Sequence, residues 1–219
     1  MDQPKKTKPK ALLKVLTVAN ILNQAISRIQ FTGNWFAAFK QPQDRGFWFV
    51  YGVSGSGKST FVMMLSKALA LLGYNVLYNM LEEDLDDTDF IDRVKLCEMN
   101  DVKDNFWARS YNYNELFAYL KKTPKINVII IDSATYFFEN FEQYLEFKKM
   151  FKNKIVIVTG HATGKNPRSK LEEDINFNAK MKIYVNGYLA LCKGRTIGPN
   201  GGRFIIYKEG YDLIHGTNN

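Results

Sequence analysis

The chain has few of the residues that staple a fold or bind a transition metal. Its 219 residues include two cysteines, Cys97 and Cys192, and two histidines, His161 and His215. Neither cysteine has a second Cys or His nearby at metal-ligand spacing. A zinc module is therefore excluded, and both thiols read as reduced packing residues in a cytoplasmic protein. No apolar run approaches the roughly 18 residues of a membrane helix, so no membrane partner is expected. The start, Met1-Asp2-Gln3-Pro4-Lys5-Lys6, lacks the apolar stretch of a signal peptide. Acidic residues are also scarce: 22 Asp and Glu stand against 30 Lys and Arg, a formal net charge of +8. Lys5, Lys6, Lys8 and Lys10 make a basic tail, but the excess persists in the body of the chain. It suits an acidic partner, DNA first.

What the chain does have is a phosphate-binding loop. The run Phe47-Trp48-Phe49-Val50-Tyr51 is an apolar strand that leads into Gly52-Val53-Ser54-Gly55-Ser56-Gly57-Lys58-Ser59-Thr60, which is G-x-x-x-x-G-K-S followed by Thr. Gly52, Gly55 and Gly57 let the backbone curl so that several N–H groups face one anion. Lys58 supplies a cation for the β- and γ-phosphates, and the Ser59 hydroxyl reaches Mg²⁺. A helix over 61–72 adds its positive amino end. The expected ligand is ATP with Mg²⁺.

Elsewhere strands and helices alternate. Strands are expected at 75–80, 105–108, 126–131 and 154–159, and helices at 84–99, 112–122 and 140–151. Central strands apolar on both faces indicate an α/β fold with a mainly parallel sheet covered on both sides. Beyond residue 174 the pattern changes to β-hairpins, at 180–191, 203–207 and 211–214, with Asn-Gly and Gly-Gly turns. Residues 11–30 carry apolar side chains at helical spacing, either for their own domain or for docking on a neighbouring subunit. The expected organisation is a basic tail with an N-terminal helix over 1–30 and one domain over 31–219.

Four features at strand ends carry chemistry. Asp132 closes the apolar strand Val128–Ile131, where a carboxylate can hold Mg²⁺ together with Ser59. Glu82 follows Val76–Met80 and can activate a water; Glu83 is the second choice. His161 follows Ile155–Val158 and can donate to the γ-phosphate. Lys193 and Arg195 stand at a strand end before the turn Gly198-Pro199-Asn200-Gly201-Gly202. Two cations there can reach a phosphate, in this subunit or in its neighbour.

Taken in order, P-loop, VLYNMLEE, VIIIDS, TGHATGKNPRSKLEEDI and CKGRTIGPNGG resemble the RecA-like ATPases, in particular the RadA/KaiC group and the DnaB-type helicase motor domains. The resemblance implies a three-layer α/β/α fold in which the His161 strand lies between the P-loop and Asp132 strands. It also implies rings or filaments with ATP sites at subunit interfaces, where Lys193 and Arg195 act in trans. Glu82, Lys58 and His161 would be catalytic, and 162–176 would be a DNA-contacting loop offering Lys165, Arg168 and Lys170. The leading expectation is an oligomeric ATPase acting on DNA in recombination, repair or replication. A small-molecule kinase ranks lower, because some fifty residues precede the P-loop and no Arg-rich lid follows it. A regulatory ATPase that controls protein contacts without touching DNA is the third reading.

Overall fold

The computed structural model describes residues 15–198 and 200–216. The basic tail at 1–10 lies outside the described residues. In chain order the elements are α1 (Val18–Leu22), α2 (Gly33–Phe39), β1 (Gly46–Gly52), α3 (Lys58–Leu71), β2 (Val76–Met80) and α4 (Thr88–Leu96). A 3₁₀ turn (Met99–Val102) leads to β3 (Phe106–Arg109), α5 (Tyr113–Lys122), β4 (Val128–Asp132), α6 (Ala134–Phe137) and α7 (Phe141–Met150). Then come β5 (Ile155–Thr163), β6 (Asn166–Pro167), α8 (Lys170–Asn178), β7 (Met181–Asn186), β8 (Leu189–Gly194), β9 (Gly202–Ile205) and α9 (Lys208–His215).

Eight strands form one sheet in the order β3-β2-β4-β5-β1-β7-β8-β9, and β6 pairs with β5 off that path. The six strands from β3 to β7 run parallel, whereas β8 and β9 are antiparallel. As the sequence implies, β5 lies between β1 and β4. Successive side chains of a strand point to opposite faces, so β1 feeds two cores. Trp48 and Val50 pack with Phe61, Leu65 and Leu69 of α3. Phe47 and Phe49 pack with Leu116 of α5 and Tyr144 and Phe147 of α7. The sheet is therefore covered on both faces, in the three-layer RecA-like arrangement.

The turn between β7 and β8 has Gly187 and Tyr188 at φ +55° and +58°, the pair of positive angles that a type I′ hairpin requires. Four expectations need correction. The helix over 11–30 is only Val18–Leu22, and none of its residues is buried, because its apolar stripe finds no surface on its own domain; residues 11–14 lie outside the described residues. The helix expected at 84–99 starts at Thr88, capped by the Asp87 carboxylate, and ends at Leu96. The strand expected at 211–214 is part of α9, where a Lys208–Asp212 ion pair one turn apart joins Tyr211, Leu213 and Ile214 to a helical face. The segment 162–176 is a β5–β6 hairpin followed by α8, and its Ser169–Glu172 capping box fixes the helix start.

Candidate active site

The parallel strands β2, β4, β5 and β1 all end at one edge of the sheet, and the chemistry-bearing residues collect there. In register, Met80 lies beside Asp132, and Gly52 lies beside both His161 and Val185. Glu82 stands two residues beyond Met80. His161 stands two residues beyond Thr159, the position next to Asp132. Both side chains thus reach one level above the end of β4, and Glu82 Oε1 approaches His161 Nε2 to 3.5 Å. The two are partly exposed, whereas Lys58 and Asp132 are buried with Nζ 3.9 Å from Oδ1.

The loop from Gly52 to Lys58 depends on missing side chains. A Cβ at Gly52 would stand 2.3 Å from the Val185 carbonyl oxygen, and Gly57, at φ +91°, would press on the Tyr188 ring. Ser56 Oγ donates to the Val53 carbonyl (2.7 Å) and reaches that of Val185 at 3.2 Å, pinning the loop to β7. Beyond it Lys58 opens α3, so the free N–H groups of the helix face the loop.

Asp132 is held from both sides. The Thr159 hydroxyl donates to Oδ1, and the Tyr78 hydroxyl donates to Oδ2 at 2.8 Å. Burial and the neighbouring Asp132 charge both push the Tyr78 phenol well above its ordinary range. Glu83 turns away from the cleft and takes a two-pronged contact from Arg93 at 2.9 and 3.0 Å. Burial opposes the Arg93 charge, but the Glu83 bonds and charge outweigh it and raise its pKa. Glu82 is therefore left facing His161.

These donors fit Mg²⁺, which prefers oxygen and keeps several waters. The buried Asp132 carboxylate and the Ser59 hydroxyl are oxygen ligands, and the neighbouring Ser133 hydroxyl is buried with no partner among the described residues. Among those residues no group of three His, Cys, Asp or Glu could hold an ion, so a cation here would depend on phosphate oxygens as well.

Three contributors carry no obvious mark in sequence: Tyr78, Thr159 and Glu172. Glu172 is 1% exposed. Its Oε1 accepts the His161 N–H at 2.8 Å and the Thr135 hydroxyl at 3.3 Å. Its Oε2 accepts the Ser169 N–H and hydroxyl, both at 3.0 Å. Gly160 makes room, since a Cβ there would stand 2.8 Å from Oε1. The S-x-x-E pattern of Ser169–Glu172 was the available signal, and it reads only as a helix start.

Lys193 and Arg195 do not join this site. β8 runs antiparallel to β7, and Gly194 pairs with Met181, which pairs with Trp48 near the start of β1. The pair lies at the opposite edge of the sheet, about 13 Å or more from Gly52 at roughly 3.3 Å per residue. Contact with the phosphates of their own subunit is ruled out. Arg195 instead adds to a cationic edge with Arg45; burial first, then these two charges, lower the pKa of Lys180. Of the three basic residues expected to meet DNA, Lys170 is engaged by Asp174 at 2.8 Å, while Lys165 and Arg168 are exposed around the β5–β6 hairpin.

Fold and site together define a P-loop nucleoside-triphosphatase core of the RecA-like type. Solved structures similar to this chain include the flagellar accessory protein FlaH from Methanocaldococcus jannaschii, at 16% identity, TM-score 0.59, and 82% and 93% coverage of this chain and that one. A KaiC-like protein from Pyrococcus horikoshii is 19% identical, with TM-score 0.56 and 73% and 81% coverage. An isolated ATPase domain gives 13% identity, TM-score 0.57, and 77% and 84% coverage. By sequence, the thymidine kinase family model matches residues 47–167, more than half of the chain, and the chain belongs to that family. No curated protein matches significantly. Among the described residues no helix is long and apolar enough to cross a membrane.

Proposed function

We propose that the chain is a Mg·ATP-dependent ATPase that works as a head-to-tail assembly acting on DNA. The observation that carries this reading is the convergence of Lys58, Asp132, Glu82 and His161 on one edge of the sheet, with Lys193 and Arg195 on the other. Lys58 and the loop N–H groups hold the β- and γ-phosphates. Ser59 and Asp132 hold Mg²⁺, which neutralises phosphate charge when bound. Glu82 takes a proton from water as the water oxygen attacks the γ-phosphorus and the bond to the ADP oxygen breaks. His161 orients Glu82 and donates toward the γ-phosphate, while Lys193 and Arg195 of a neighbour complete the charge clamp. Two features support a DNA partner. One is the net charge of +8. The other is the placement of Lys165 and Arg168 on a hairpin whose Arg168 N–H bonds the His161 carbonyl at 3.0 Å.

The thymidine kinase match favours a second reading, phosphoryl transfer to a nucleoside hydroxyl, which the sequence alone ranked lower. Glu82 can deprotonate an acceptor hydroxyl as well as water. A cleft of about 310 Å³ lined by Asn112, Tyr113, Thr135, Tyr136 and Glu139 follows β3 and β4 at the same edge and offers such an acceptor a pocket. One experiment separates the readings: phosphate release from ATP, alone, with single-stranded DNA and with deoxynucleosides, alongside the mass of the assembly. Stimulation by DNA with nucleotide-dependent assembly supports the first reading. Turnover only with a deoxynucleoside replaces it with the second, and assembly indifferent to DNA leaves a regulatory ATPase. Glu82→Gln should retain ATP binding and lose turnover at least about a hundredfold; normal hydrolysis by it removes Glu82 from the mechanism.

A further inference from the structure

Helix α1 and its flanks carry apolar side chains that meet nothing in their own chain. Val15, Val18 and Leu22 are 88%, 72% and 79% exposed. They recur at i, i+3 and i+7, so they form one stripe where the segment is helical. Ile21 and Ile26 are about half exposed beside it. Apolar side chains in such a row are costly to leave in water and mark an interaction surface.

On the other side of the ledger is an apolar groove of about 760 Å³ along the outer face of α3. Met64, Ala68 and Leu71 form its floor, and Trp35, Leu96 and Tyr207 flank it. Leu71 and Leu96 are well exposed, so the groove is unfilled by this chain. A helix or extended segment with apolar anchors one turn apart is the occupant such a groove accepts. Nothing from residues 15–26 lines it.

Charge selects the occupant. The chain that precedes α1 is basic, with Lys5, Lys6, Lys8, Lys10 and Lys14. The α4 side of the groove is acidic, with Asp84, Asp86, Asp87, Asp89 and Asp92 close in sequence and Glu98 on the lining itself. We infer that residues 15–26 of one copy lie in the α3 groove of the next copy, with the basic tail running over its acidic α4 side. The inference rests on the head-to-tail assembly proposed above and names its contact. Ile29 and Phe31, buried in their own domain, anchor the donated segment, and Phe31 and Thr32 lie at the edge of the donor's own groove. Each copy is thus both donor and acceptor. One end of the groove is Thr60 of the P-loop motif, so the docked segment and the nucleotide share helix α3.

The test uses full-length protein in a Cys97→Ser background. Leu22→Cys protein is mixed with Leu96→Cys protein in the presence of Mg²⁺ and a non-hydrolysable ATP analogue, then treated with a short bis-maleimide. The expected product is a covalent dimer containing one chain of each kind, absent when Leu145→Cys, on the opposite layer, replaces Leu96→Cys. A second variant, Val18→Asp with Leu22→Asp, changes only exposed positions and should weaken assembly by about tenfold or more. A chain carrying Leu22→Cys and Leu96→Cys together that links only within itself overturns the inference, because the segment then fills its own groove. Intact assembly without the mixed dimer, or unchanged by the double Asp variant, overturns the docking contact and leaves the assembly reading standing. Failure of wild-type protein to assemble with any nucleotide sinks both.

Discussion

Replacing Glu172 by Gln tests whether a buried carboxylate, and not the capping of α8 alone, holds the His161 strand end in place. Glu172 accepts four hydrogen bonds, two on each oxygen, from His161, Thr135 and Ser169. Gln retains one oxygen and sets an NH₂ group where the other stood. The Thr135 and Ser169 hydroxyls can rotate and accept from that group, but a backbone N–H cannot reverse. One of two backbone donors, that of His161 or that of Ser169, therefore loses its acceptor and faces another donor. Bonds to a charged acceptor contribute about 1.5–3 kcal/mol each, and a buried donor left bare costs a similar amount. The expected loss is about 3 kcal/mol. For a chain of this size each kcal/mol moves the melting temperature by about 2–4 °C, so the shift is roughly 6–12 °C downward. Calorimetry at neutral pH reads it directly, with Glu173→Gln as an exposed neighbour expected to move it by no more than about 2 °C. Steady-state kinetics supply the second readout: kcat should fall with the KM for ATP nearly unchanged, since the P-loop is untouched. A Glu172→Gln protein that melts within about 1 °C of wild type, with normal kcat, refutes the reasoning.

Two further outcomes follow from the geometry. Arg195→Ala keeps its P-loop and Lys58→Ala keeps its cationic edge, so each alone should be inactive. Equal mixing should restore activity at the interfaces that combine the two intact halves, about a quarter of them in a random head-to-tail assembly; no recovery despite verified co-assembly removes Arg195 from the site. The Tyr78 phenol has its pKa raised in the folded chain by burial and by Asp132. Its contribution is therefore complete below the unfolded value near 10 and is lost as pH climbs above it. Tyr113, pushed up to about 12 by burial and then Glu146, and the buried Tyr144 act in the same sense. Melting temperatures measured from pH 8 to 11 should accordingly fall more steeply for wild type than for Tyr78→Phe. Parallel curves would mean that Tyr78 contributes nothing to the alkaline limb.

Much of the fold was legible because its signals are local. β1, β4 and β5 are continuous apolar runs that only a doubly covered sheet can bury, and the motif after β1 demands a loop and a helix. Their order placed Asp132 and His161 at strand ends, and register alone then carries Glu82 to within 3.5 Å of His161. What was not legible depends on contacts remote in sequence. Glu172 and Glu173 are adjacent and chemically alike, yet only the first turns inward, against Gly160 and His161. Tyr78 reads as one more apolar residue of β2 until Asp132 appears on the neighbouring strand. The strand expected at 211–214 failed because four residues cannot separate periods of 2 and 3.6, whereas the Lys208–Asp212 pair spans a helical turn. Residues 11–30 have helical spacing but no partner surface on their own domain, and spacing says nothing of where a stripe is buried.

The antiparallel turn-back of β8 puts the cationic pair and the phosphate loop on opposite rims, and this has an arithmetic consequence. In any open row of copies joined rim to rim, the terminal copy presents a loop that no neighbour completes. A pair of copies would then run at half the per-chain rate of a closed circle, and short rows would approach the full rate only as they lengthen. Specific activity measured against protein concentration is accordingly a gauge of geometry. A plateau reached in one cooperative step indicates closure into a ring, and a gradual climb indicates filaments whose ends are always idle.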